Sequence, residues 1–326
     1  MPKKIRWGVL GVARIATAKV IPAMQQGALT EITAIASRDS GRAREAAREL
    51  GIARAYGSYE ELLADPEIDA IYNPLPNHLH VPWSIRAAEA GKHVLCEKPV
   101  GMDAAEAVEL IAARDRTGVV IGEGFMIQTH PQWVRTMELA RSGRLGQMRS
   151  AIGSFGYFKL EADNIRNIRE YGGGGLMDIG CYPIKCSRMV FGEEPVRVAA
   201  KIVRDPRFGN IDSLTSAVLE FPSGHCVFTC GTQEMGNQSM QFVGTEGKVE
   251  LPIPFNPPPN EVSRIRLNEV VEEFAPCDQY TIQGDAFARA IQEGGRPPVP
   301  LEDSVKTMRV IEAVVRAGET GRWEQV

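Results

Sequence analysis

The stretch HVLCEKPVGMDAAEAVEL, residues 93–110, has the pattern of a buried strand that turns sharply into a helix. Its apolar run stops at Glu97-Lys98-Pro99, and residues with high helix propensity follow. The same alternation recurs over residues 5–124, where short β-branched runs are separated by Ala/Glu/Arg-rich segments such as SGRAREAAREL (40–50). Repeated βαβ units of this kind predict a parallel sheet covered by helices on both faces.

The pattern changes at about residue 147 to successive strands joined by glycine, proline and asparagine turns. It predicts an α/β fold with an N-terminal parallel sheet over residues 1–124, followed by a C-terminal α+β domain over residues 125–326. The second domain should contain a large, mostly antiparallel open sheet. Two late segments, Tyr280–Gln292 and Leu301–Thr320, have helical spacing, and LPIPFNPPPNE (251–261) is predicted to be an ordered surface connection.

Composition excludes several classes of function. A formal charge of −4 provides no basic excess for binding a phosphate backbone, so we expect no nucleic-acid partner. Apolar runs stay well below the ~18 residues that span a bilayer, and Arg14 interrupts the N-terminal run, so we expect neither a membrane span nor a signal peptide. Six cysteines without Cys-x-x-Cys spacing predict free thiols and a cytoplasmic protein. The five histidines lack metal-ligand spacing, and nothing indicates a flavin, so we expect no metal site.

The first strand, Ile5–Leu10, runs into Gly11-x-Ala13-x-x-Ala16 at the start of a helix, which is the setting of a dinucleotide-binding loop. Gly11 permits a tight turn, and the small alanines permit close approach of a pyrophosphate. Backbone N–H groups at the helix start, around Arg14 and Ile15, would hold the phosphates. The alternative is an ordinary βα turn with small residues for packing.

The end of the second strand favours NADP over NAD. An acidic residue at this point binds the ribose 2′-hydroxyl of NAD, but Ser37 and Arg38 come first and Asp39 follows. Arg38 is suited to pair with a 2′-phosphate and Ser37 to donate a hydrogen bond to it. The alternative is that Arg38 is a solvated residue and that Asp39 serves NAD.

Two polar strand ends are predicted to meet at one edge of the parallel sheet. One strand ends in NPLPNHLH (73–80) and the next in Glu97-Lys98-Pro99. Ligands bind at the carboxyl ends of such strands, so Lys98 is placed near the nicotinamide. The alternative is a surface pair of Glu97 and Lys98 that only caps the strand.

A second cluster begins a helix in the other domain, within YGGGGLMDIGCYPIKCSRMVFG (171–192). Asp178 and Tyr182 are four residues apart and share a helix face, and Lys185 lies three residues further on. The run of glycines permits a ligand to approach the backbone. The alternative is a flexible loop followed by a helix whose Tyr182 belongs to the core.

With these motifs in this order, the chain resembles the Gfo/Idh/MocA oxidoreductases over nearly its whole length. It is most similar to the branch with glucose-fructose oxidoreductase, NADP-linked xylose dehydrogenases and dimeric dihydrodiol dehydrogenases. The resemblance implies a Rossmann domain, a C-terminal open sheet that forms a homo-oligomer (dimer or tetramer), and hydride transfer at a carbon of a sugar or polyol. It assigns catalytic positions to Lys98, Asp178 and Tyr182 and cofactor contacts to further residues, namely Ser37, Arg38, Pro76, Asn77, His80, Glu97 and Lys98.

Two departures from the family pattern matter. Most members have histidine at the position of Tyr182 and glycine at the position of Ala13. The resemblance therefore implies that Tyr182 accepts or donates the proton, with Lys98 lowering the pKa of the phenol from its usual ~10 and polarising the substrate oxygen. Asp178 would orient substrate hydroxyl groups or Lys98.

Substrate selection is predicted to fall to KLEADNIRNIREYGGGG (159–175), through Asn164, Arg166 and Arg169, unless this loop is simply solvated. The predicted function is an aldose 1-dehydrogenase or a ketose/aldose reductase that uses NADP. Two alternatives stay open. One is an enzyme that holds NADP tightly while two sugars react in sequence, and the other is a non-catalytic sensor of the cofactor.

Overall fold

A computed structural model describes residues 3–326, which form two compact units by their internal contacts. The first unit contains the residues up to Thr129 and the later segment Asp278–Val305. The second unit contains His130–Cys277 and Lys306–Val326.

The first unit is a parallel α/β unit. Among the described residues its strands are β1 (Ile5–Leu10), β2 (Thr30–Ala36), β3 (Arg54–Tyr56), β4 (Ala70–Asn73), β5 (His93–Glu97) and β6 (Ile121–Gly124). Its helices along the same stretch are α1 (Ile21–Gln25), α2 (Ser40–Leu50), α3 (Tyr59–Ala64), α4 (His80–Glu89) and α5 (Ala104–Thr117).

The strand order of this sheet is β3-β2-β1-β4-β5-β6, the doubly wound order of dinucleotide-binding folds. Val9, Ile35 and Ile71 are fully buried, as expected for strands with helices on both faces. The order reverses direction between β1 and β4, and folds of this kind bind ligands at the carboxyl ends of the strands at such a switch point. The predicted parallel sheet is confirmed.

The second unit combines helices with a large sheet. Its helices include α6 (Pro131–Arg141) and α7 (Cys181–Phe191), and most of a later helix, residues 306–320, also belongs to it. Over the part of the chain that the structure describes, the strands are β7 (Met148–Phe158), β8 (Arg197–Asp205), β9 (Ile211–Glu220), β10 (His225–Gly231), β11 (Gln233–Gly244), β12 (Lys248–Leu251), β13 (Ser263–Leu267), β14 (Val270–Phe274) and β15 (Glu324–Gln325).

This sheet has the order β14-β13-β12-β11-β7-β10-β9-β8-β15. Its pairs are antiparallel apart from β7 with β10, so the predicted mostly antiparallel sheet is confirmed. Residues alternate between the two faces: Phe228 and Phe242 are buried, whereas Ile152 and Val227 are exposed. One face therefore packs in the core and the other is open.

Two late helices, α8 (Gln279–Glu293) and α9 (Leu301–Thr320), confirm the predicted helical segments. The Asp285 carboxylate of α8 accepts hydrogen bonds from the N–H groups of Ala28 and Leu29, at 2.9 and 2.8 Å. The ring of Phe287 packs against Trp7, with centroids 5.7 Å apart. These contacts return the chain to the first unit, so a single boundary after residue 124 does not describe the segment 278–305.

The proline-rich stretch 251–261 differs from the prediction of a surface connection. Phe255 is fully buried, and the Pro254 carbonyl accepts a hydrogen bond of 2.7 Å from the Trp133 indole. The surface assignment is wrong for this part, because the aromatic ring of Phe255 fills the core of the second unit.

No helix within residues 3–326 is both long enough and apolar enough to pass through a bilayer.

Candidate active site

The loop after β1 has the geometry of a phosphate cradle. Gly11 has a φ of +81°, which side-chain-bearing residues rarely adopt, and a Cβ there would lie 2.9 Å from Leu75 Cδ2. Ala16 is fully buried at the start of the π-helical turn Ala16–Val20, which leads into α1. The loop thus brings backbone N–H groups around Arg14 and Ile15 to a helix start beside a glycine whose positive φ would strain any larger residue.

Positive charge gathers next to this loop, at the carboxyl end of β2. Arg38 is exposed, and the charges of Arg38 and Arg42 both act on the phenol of Tyr59, where they oppose the rise in its pKa that burial causes. The Tyr59 hydroxyl lies 3.5 Å from the point that a Cβ on Gly11 would occupy. The two arginines and the phosphate loop therefore share one corner of the unit.

Sequence reasoning missed Arg42 and Tyr59. Arg42 lies in the first turn of the predicted helix that directly follows Arg38, so a second cation close to Arg38 in the sequence was a usable signal. Tyr59 has no such signal, because it reaches the corner only through the packing of α3.

Asp39, the residue considered for NAD, is the N-cap of α2. Its Oδ1 accepts hydrogen bonds from the N–H groups of Gly41 and Arg42, at 2.8 and 3.1 Å. The hydroxyl of Ser37 accepts a bond of 3.2 Å from the Asp39 N–H. The carboxylate therefore stabilises the helix start, while Arg38 remains exposed for a ligand.

Lys98 directly follows β5, where a buried carboxylate supports it. Glu97 Oε1 accepts a hydrogen bond of 2.7 Å from the Tyr72 hydroxyl, and Glu97 Oε2 lies 3.3 Å from the Lys98 N–H. Burial, with the Glu97 charge added, raises the pKa of Tyr72 well above its usual value, so this phenol stays a donor. Glu97, predicted to contact the cofactor, is thus committed through one oxygen to Tyr72.

Pro76 and Asn77 lie on the same carboxyl edge, at the start of the short 3₁₀ turn Asn77–Leu79, and both are partly exposed. His80 differs from them. Its ring is buried, with Nδ1 2.7 Å from the Pro99 carbonyl oxygen and Nε2 2.6 Å from the Leu75 carbonyl oxygen. His80 was predicted to contact the cofactor, and in the structure both of its ring nitrogens contact backbone carbonyl oxygens.

In the second unit, Asp178 is the centre of a polar cluster. It lies in the π-helical turn Leu176–Gly180, and its Oδ2 accepts hydrogen bonds from Arg166 Nε at 2.7 Å and from the Tyr157 hydroxyl at 2.6 Å. The Asp178 charge raises the pKa of Arg166 above its usual value. Burial and then Asp178 raise the pKa of Tyr157, so Tyr157 is a hydrogen-bond donor to the carboxylate and is not a base.

Tyr182 belongs to the same cluster and begins α7. Its ring packs against Phe155 and Phe255, with centroids 5.4 and 5.1 Å away, and it interacts electrostatically with Arg166. The structure therefore brings together the predicted residues Asp178, Tyr182 and Arg166. Sequence reasoning missed Tyr157, which lies in an alternating strand like other aromatic residues and carries no distinguishing signal.

The other two predicted substrate residues have structural partners. Asn164 Oδ1 accepts a hydrogen bond of 3.1 Å from the Arg166 N–H and so shapes the backbone that presents Arg166. Arg169 is exposed and donates to the Gly209 carbonyl at 3.3 Å. Of the three, Arg166 is the one whose side chain joins Asp178.

Asp212 anchors the glycine loop before Asp178. Its Oδ2 accepts a hydrogen bond of 2.6 Å from the Leu176 N–H, and a Cβ on Gly174, whose φ is +120°, would overlap Asp212 Oδ1. Burial raises the pKa of this carboxyl to about 6. The glycine run is therefore needed for this close approach of backbone to a buried carboxyl group.

A six-stranded sheet in the doubly wound order, a glycine loop with positive φ and adjacent arginines define a dinucleotide-binding protein. A family model described as an oxidoreductase family with an NAD-binding Rossmann fold matches residues 5–125, and a GFO/IDH/MocA C-terminal domain model matches residues 133–250. The chain belongs to the Gfo/Idh/MocA oxidoreductase family, which confirms the predicted resemblance.

Relatives of known name cover nearly the whole chain. It is 40% identical to D-xylose 1-dehydrogenase (NADP(+)) 2 of Haloferax volcanii, over 97% of this chain and 98% of that protein. A 3-ketoreductase from Actinomadura kijaniata, solved with NADP and TDP-benzene, is 32% identical with a TM-score of 0.89, covering 97% of this chain and 98% of that one. An aldose-aldose oxidoreductase from Caulobacter crescentus is 29% identical with a TM-score of 0.91, covering 99% and 100%.

Proposed function

We propose that this protein oxidises a free aldose at a CH–OH carbon with NADP, or catalyses the reverse reduction, using Lys98, Tyr182 and Asp178. The class of reaction follows from the relatives: the protein is an NADP-linked oxidoreductase that acts on CH–OH groups of sugars or polyols. The observation that carries the residue assignment is the cluster of Arg166, Asp178 and Tyr182, which supplies a proton-transfer group beside groups that bind hydroxyls.

The residues of the first unit fit NADP. The positive φ of Gly11 favours a residue without a side chain at the loop that would hold the pyrophosphate, and Arg38 and Arg42 supply charge for a 2′-phosphate. Ser37 and the loop around Ala13 complete that end, while Pro76, Asn77 and Lys98 lie on the edge suited to the nicotinamide. When bound, NADP supplies the hydride acceptor, or the donor in the reverse direction.

Lys98 and Tyr182 are assigned to the reacting hydroxyl group. The Lys98 ammonium stabilises negative charge on the oxygen as its proton leaves. Tyr182 accepts that proton through its phenolic oxygen, and the nearby Arg166 cation favours the phenolate.

The same two residue types were replaced in solved structures of the Actinomadura kijaniata enzyme, one lysine and one tyrosine. The interval between those two positions along that chain equals the interval between Lys98 and Tyr182. This equality supports the assignment.

Arg166 is assigned to the substrate hydroxyls that do not react. Its Nε is engaged by Asp178, so the plane of the guanidinium is set before substrate arrives. The Nη groups of this half-exposed side chain then present donors in a defined direction. Asp178 accepts hydrogen bonds from Arg166 and from Tyr157 of β7, so it fixes Arg166 relative to that strand.

A screen of aldoses, ketoses and polyols tests the proposal, with NADP and NAD compared by the absorbance of the reduced cofactor. We expect turnover of aldoses, D-xylose among them, with NADP preferred. Turnover confined to nucleotide-linked keto sugars would overturn the aldose assignment.

The aldose-aldose relative favours a second candidate function, in which NADP stays bound to the protein while two sugars react in sequence. NADP that remains with the protein through gel filtration would support that candidate.

The open face of the second sheet is proposed to form a homo-oligomer, a dimer or a tetramer. Ile152, Val227, Val218 and Ala199 are aligned in register across β7, β10, β9 and β8. Ile152 and Val227 are 56% and 45% exposed, so the row presents apolar surface to solvent. Sedimentation of the parent and of Ile152→Lys tests this, and a parent that sediments as a monomer would refute it.

A cytoplasmic location is proposed from the thiols. All six cysteines of the described residues are free, and five of them are buried. Free thiols suit a reducing compartment. Fractionation of the native cells, with the protein followed by antibody, tests the location.

A further inference from the structure

A single peptide group next to Lys98 is held at both ends by buried side chains. The peptide that joins Pro99 to Val100 presents its carbonyl oxygen to His80 Nδ1 at 2.7 Å. The N–H of the same peptide donates to Glu123 Oε1 at 2.9 Å. His80 is 1% exposed and Glu123 is 4% exposed, so water does not compete for either bond.

We propose that His80 and Glu123 act as a positioning pair for Lys98, fixing the Pro99–Val100 peptide and through it the direction of the lysine. The role of Lys98 itself rests on the proposed function. His80 was predicted to contact the cofactor, but in the structure its ring nitrogens contact backbone carbonyls, and the Glu123 carboxylate accepts from the Val100 N–H and the Ser304 hydroxyl.

The covalent geometry explains why this peptide matters. The ring of Pro99 restricts its φ, so the orientation of the following peptide depends mainly on the one remaining rotation, ψ of Pro99. Clamping the peptide at its carbonyl and its N–H sets that rotation. On the other side of the lysine, the Lys98 N–H lies 3.3 Å from Glu97 Oε2. The backbone is thereby held on both sides of Lys98.

Each clamping residue has a second anchor in the same unit. Glu123 Oε2 accepts a hydrogen bond of 2.8 Å from the Ser304 hydroxyl at the start of α9. His80 Nε2 lies 2.6 Å from the Leu75 carbonyl, and the His80 carbonyl accepts a bond of 2.9 Å from Asn73 Nδ2. The clamp is therefore tied to the ends of β4 and β6, the strands on either side of β5.

The contact with Pro99 requires a proton on Nδ1 of His80, because a carbonyl oxygen only accepts hydrogen bonds. The Leu75 carbonyl favours a second proton on Nε2, whereas burial opposes the charged ring and lowers the pKa of His80 to about 4. The nearby charges of Lys98 and His78 also oppose it. Nδ1 therefore carries a proton whether the ring is charged or is neutral and donates to the Pro99 carbonyl.

The kinetic test removes each of the two hydrogen bonds to the Pro99–Val100 peptide in turn and restores one of them by a conservative variant. Glu123→Met and His80→Leu remove the acceptor and the donor, whereas Glu123→Gln keeps an acceptor oxygen for Val100. We expect kcat to fall roughly 10–100-fold in the first two variants with the Kd for NADP nearly unchanged, and Glu123→Gln to recover most of the loss. The double variant should be little slower than either single variant, because both residues act on one peptide.

The matched control is His93→Leu. His93 Nδ1 accepts a hydrogen bond of 2.9 Å from the Val120 N–H at the other end of β5, so this variant removes a histidine-to-backbone bond from the same strand. It should lower the melting temperature and leave kcat near the parent value. Equal losses of kcat in His93→Leu and His80→Leu would overturn the proposal, as would losses that multiply in the double variant.

A spectroscopic test on the parent protein does not depend on any variant folding. NMR of ¹⁵N-labelled histidine, with His80 assigned by its loss in His80→Gln, reports which ring nitrogen carries a proton. A proton on Nδ1 supports the clamp, and a ring protonated on Nε2 alone overturns it. If Lys98→Ala keeps its turnover, the proposed function fails, while this spectrum still decides the clamp.

Discussion

Arg166 and Asp178 are joined by a hydrogen-bonded ion pair in which Nε lies 2.7 Å from Oδ2, the same oxygen that accepts the Tyr157 hydroxyl at 2.6 Å. Two donors on one carboxylate oxygen fix the carboxylate and the guanidinium relative to each other. The bond through Nε therefore orders Arg166, which suits its guanidinium to bind substrate hydroxyls.

Replacing Arg166 by lysine should raise KM more than it lowers kcat. A lysine has one ammonium, which cannot keep the Asp178 bond and also present a planar pair of donors. We expect KM for the sugar to rise roughly tenfold, the cost of one or two hydrogen bonds. Steady-state kinetics of Arg166→Lys measure this. Arg169→Lys is the control, because the side chain of Arg169 donates to the Gly209 carbonyl. Equal effects in the two variants would contradict the assignment of Arg166.

Lys98→Ala should abolish turnover and leave NADP binding within about an order of magnitude, because the ammonium acts mainly on the transition state. Single-turnover rates and a fluorescence titration with NADPH measure the two quantities. Lys19→Ala, which removes an exposed lysine from the turn Ala16–Val20, is the control and should behave like the parent. Turnover near the parent level in Lys98→Ala would exclude the proposed role.

Tyr182→Phe should slow the reaction by roughly 10²–10⁴-fold, because it deletes the group that transfers the proton while the ring keeps its packing. Tyr157→Phe is the matched control. It removes a phenol that donates to Asp178 and leaves the Arg166 bond to the same oxygen, so we expect a much smaller loss. In the oxidation direction, kcat of the parent should rise with pH as Tyr182 loses its proton, and this rise should be lost in Tyr182→Phe alone. A larger loss in Tyr157→Phe would reverse the assignment.

Arg38→Ala and Arg42→Ala should weaken NADP binding and leave NAD binding nearly unchanged, because NADP alone carries the phosphate that these cations pair with. The kcat/KM ratio for the two cofactors measures the effect. Asp39→Ala is the control: it should cost about 1 kcal/mol of helix stability through loss of the N-cap without changing the ratio. A changed ratio in Asp39→Ala would assign cofactor choice to that carboxylate.

Asp212 should make the protein less stable as the pH rises. Burial raises its folded pKa from 3.8 to about 6, so the folded state holds the proton more tightly than the unfolded state. The contribution of Asp212 to the free energy of unfolding therefore falls by about 3 kcal/mol in total as the pH rises from about 4 to about 6. Arg204, which faces the carboxyl group, acts in the opposite direction and is already included in that pKa.

Denaturant unfolding of the parent and of Asp212→Asn at pH 4.5 and 7 measures this. The amide does not titrate, so the variant should gain stability relative to the parent on going to pH 7. Asp205→Asn is the control: Arg207 lowers the pKa of Asp205, so the stabilisation from this carboxylate is present at both pH values and its loss should be about the same at pH 4.5 and 7. Parallel pH profiles for Asp212→Asn and the parent would show that Asp212 is not buried as a neutral acid.

The site was only partly accessible from the sequence. Arg38, Lys98, Asp178 and Tyr182 stand in motifs whose spacing is local, because each motif is a strand end or a helix start. Arg42 had a local signal as well, because it lies in the first turn of the helix that follows Arg38. Tyr157 and Tyr59 had none, since each reaches its polar partner from an element that is distant along the chain.

The sequence by itself determined the order of elements, the parallel and antiparallel sheets and the phosphate loop. These depend on hydrophobic periodicity and on short turns, which are properties of neighbouring residues. The tertiary structure alone decided which polar groups meet. It brings Glu123 of β6 and His80 of α4 to opposite ends of one peptide, and it commits Asp39 to a helix cap. It also returns Asp278–Val305 to the first unit, because the apolar face of α8 finds its partner on residues nearly three hundred positions earlier, at Trp7. Contacts between residues so far apart in the chain have no periodic signal, because they are selected by packing and burial of the whole unit.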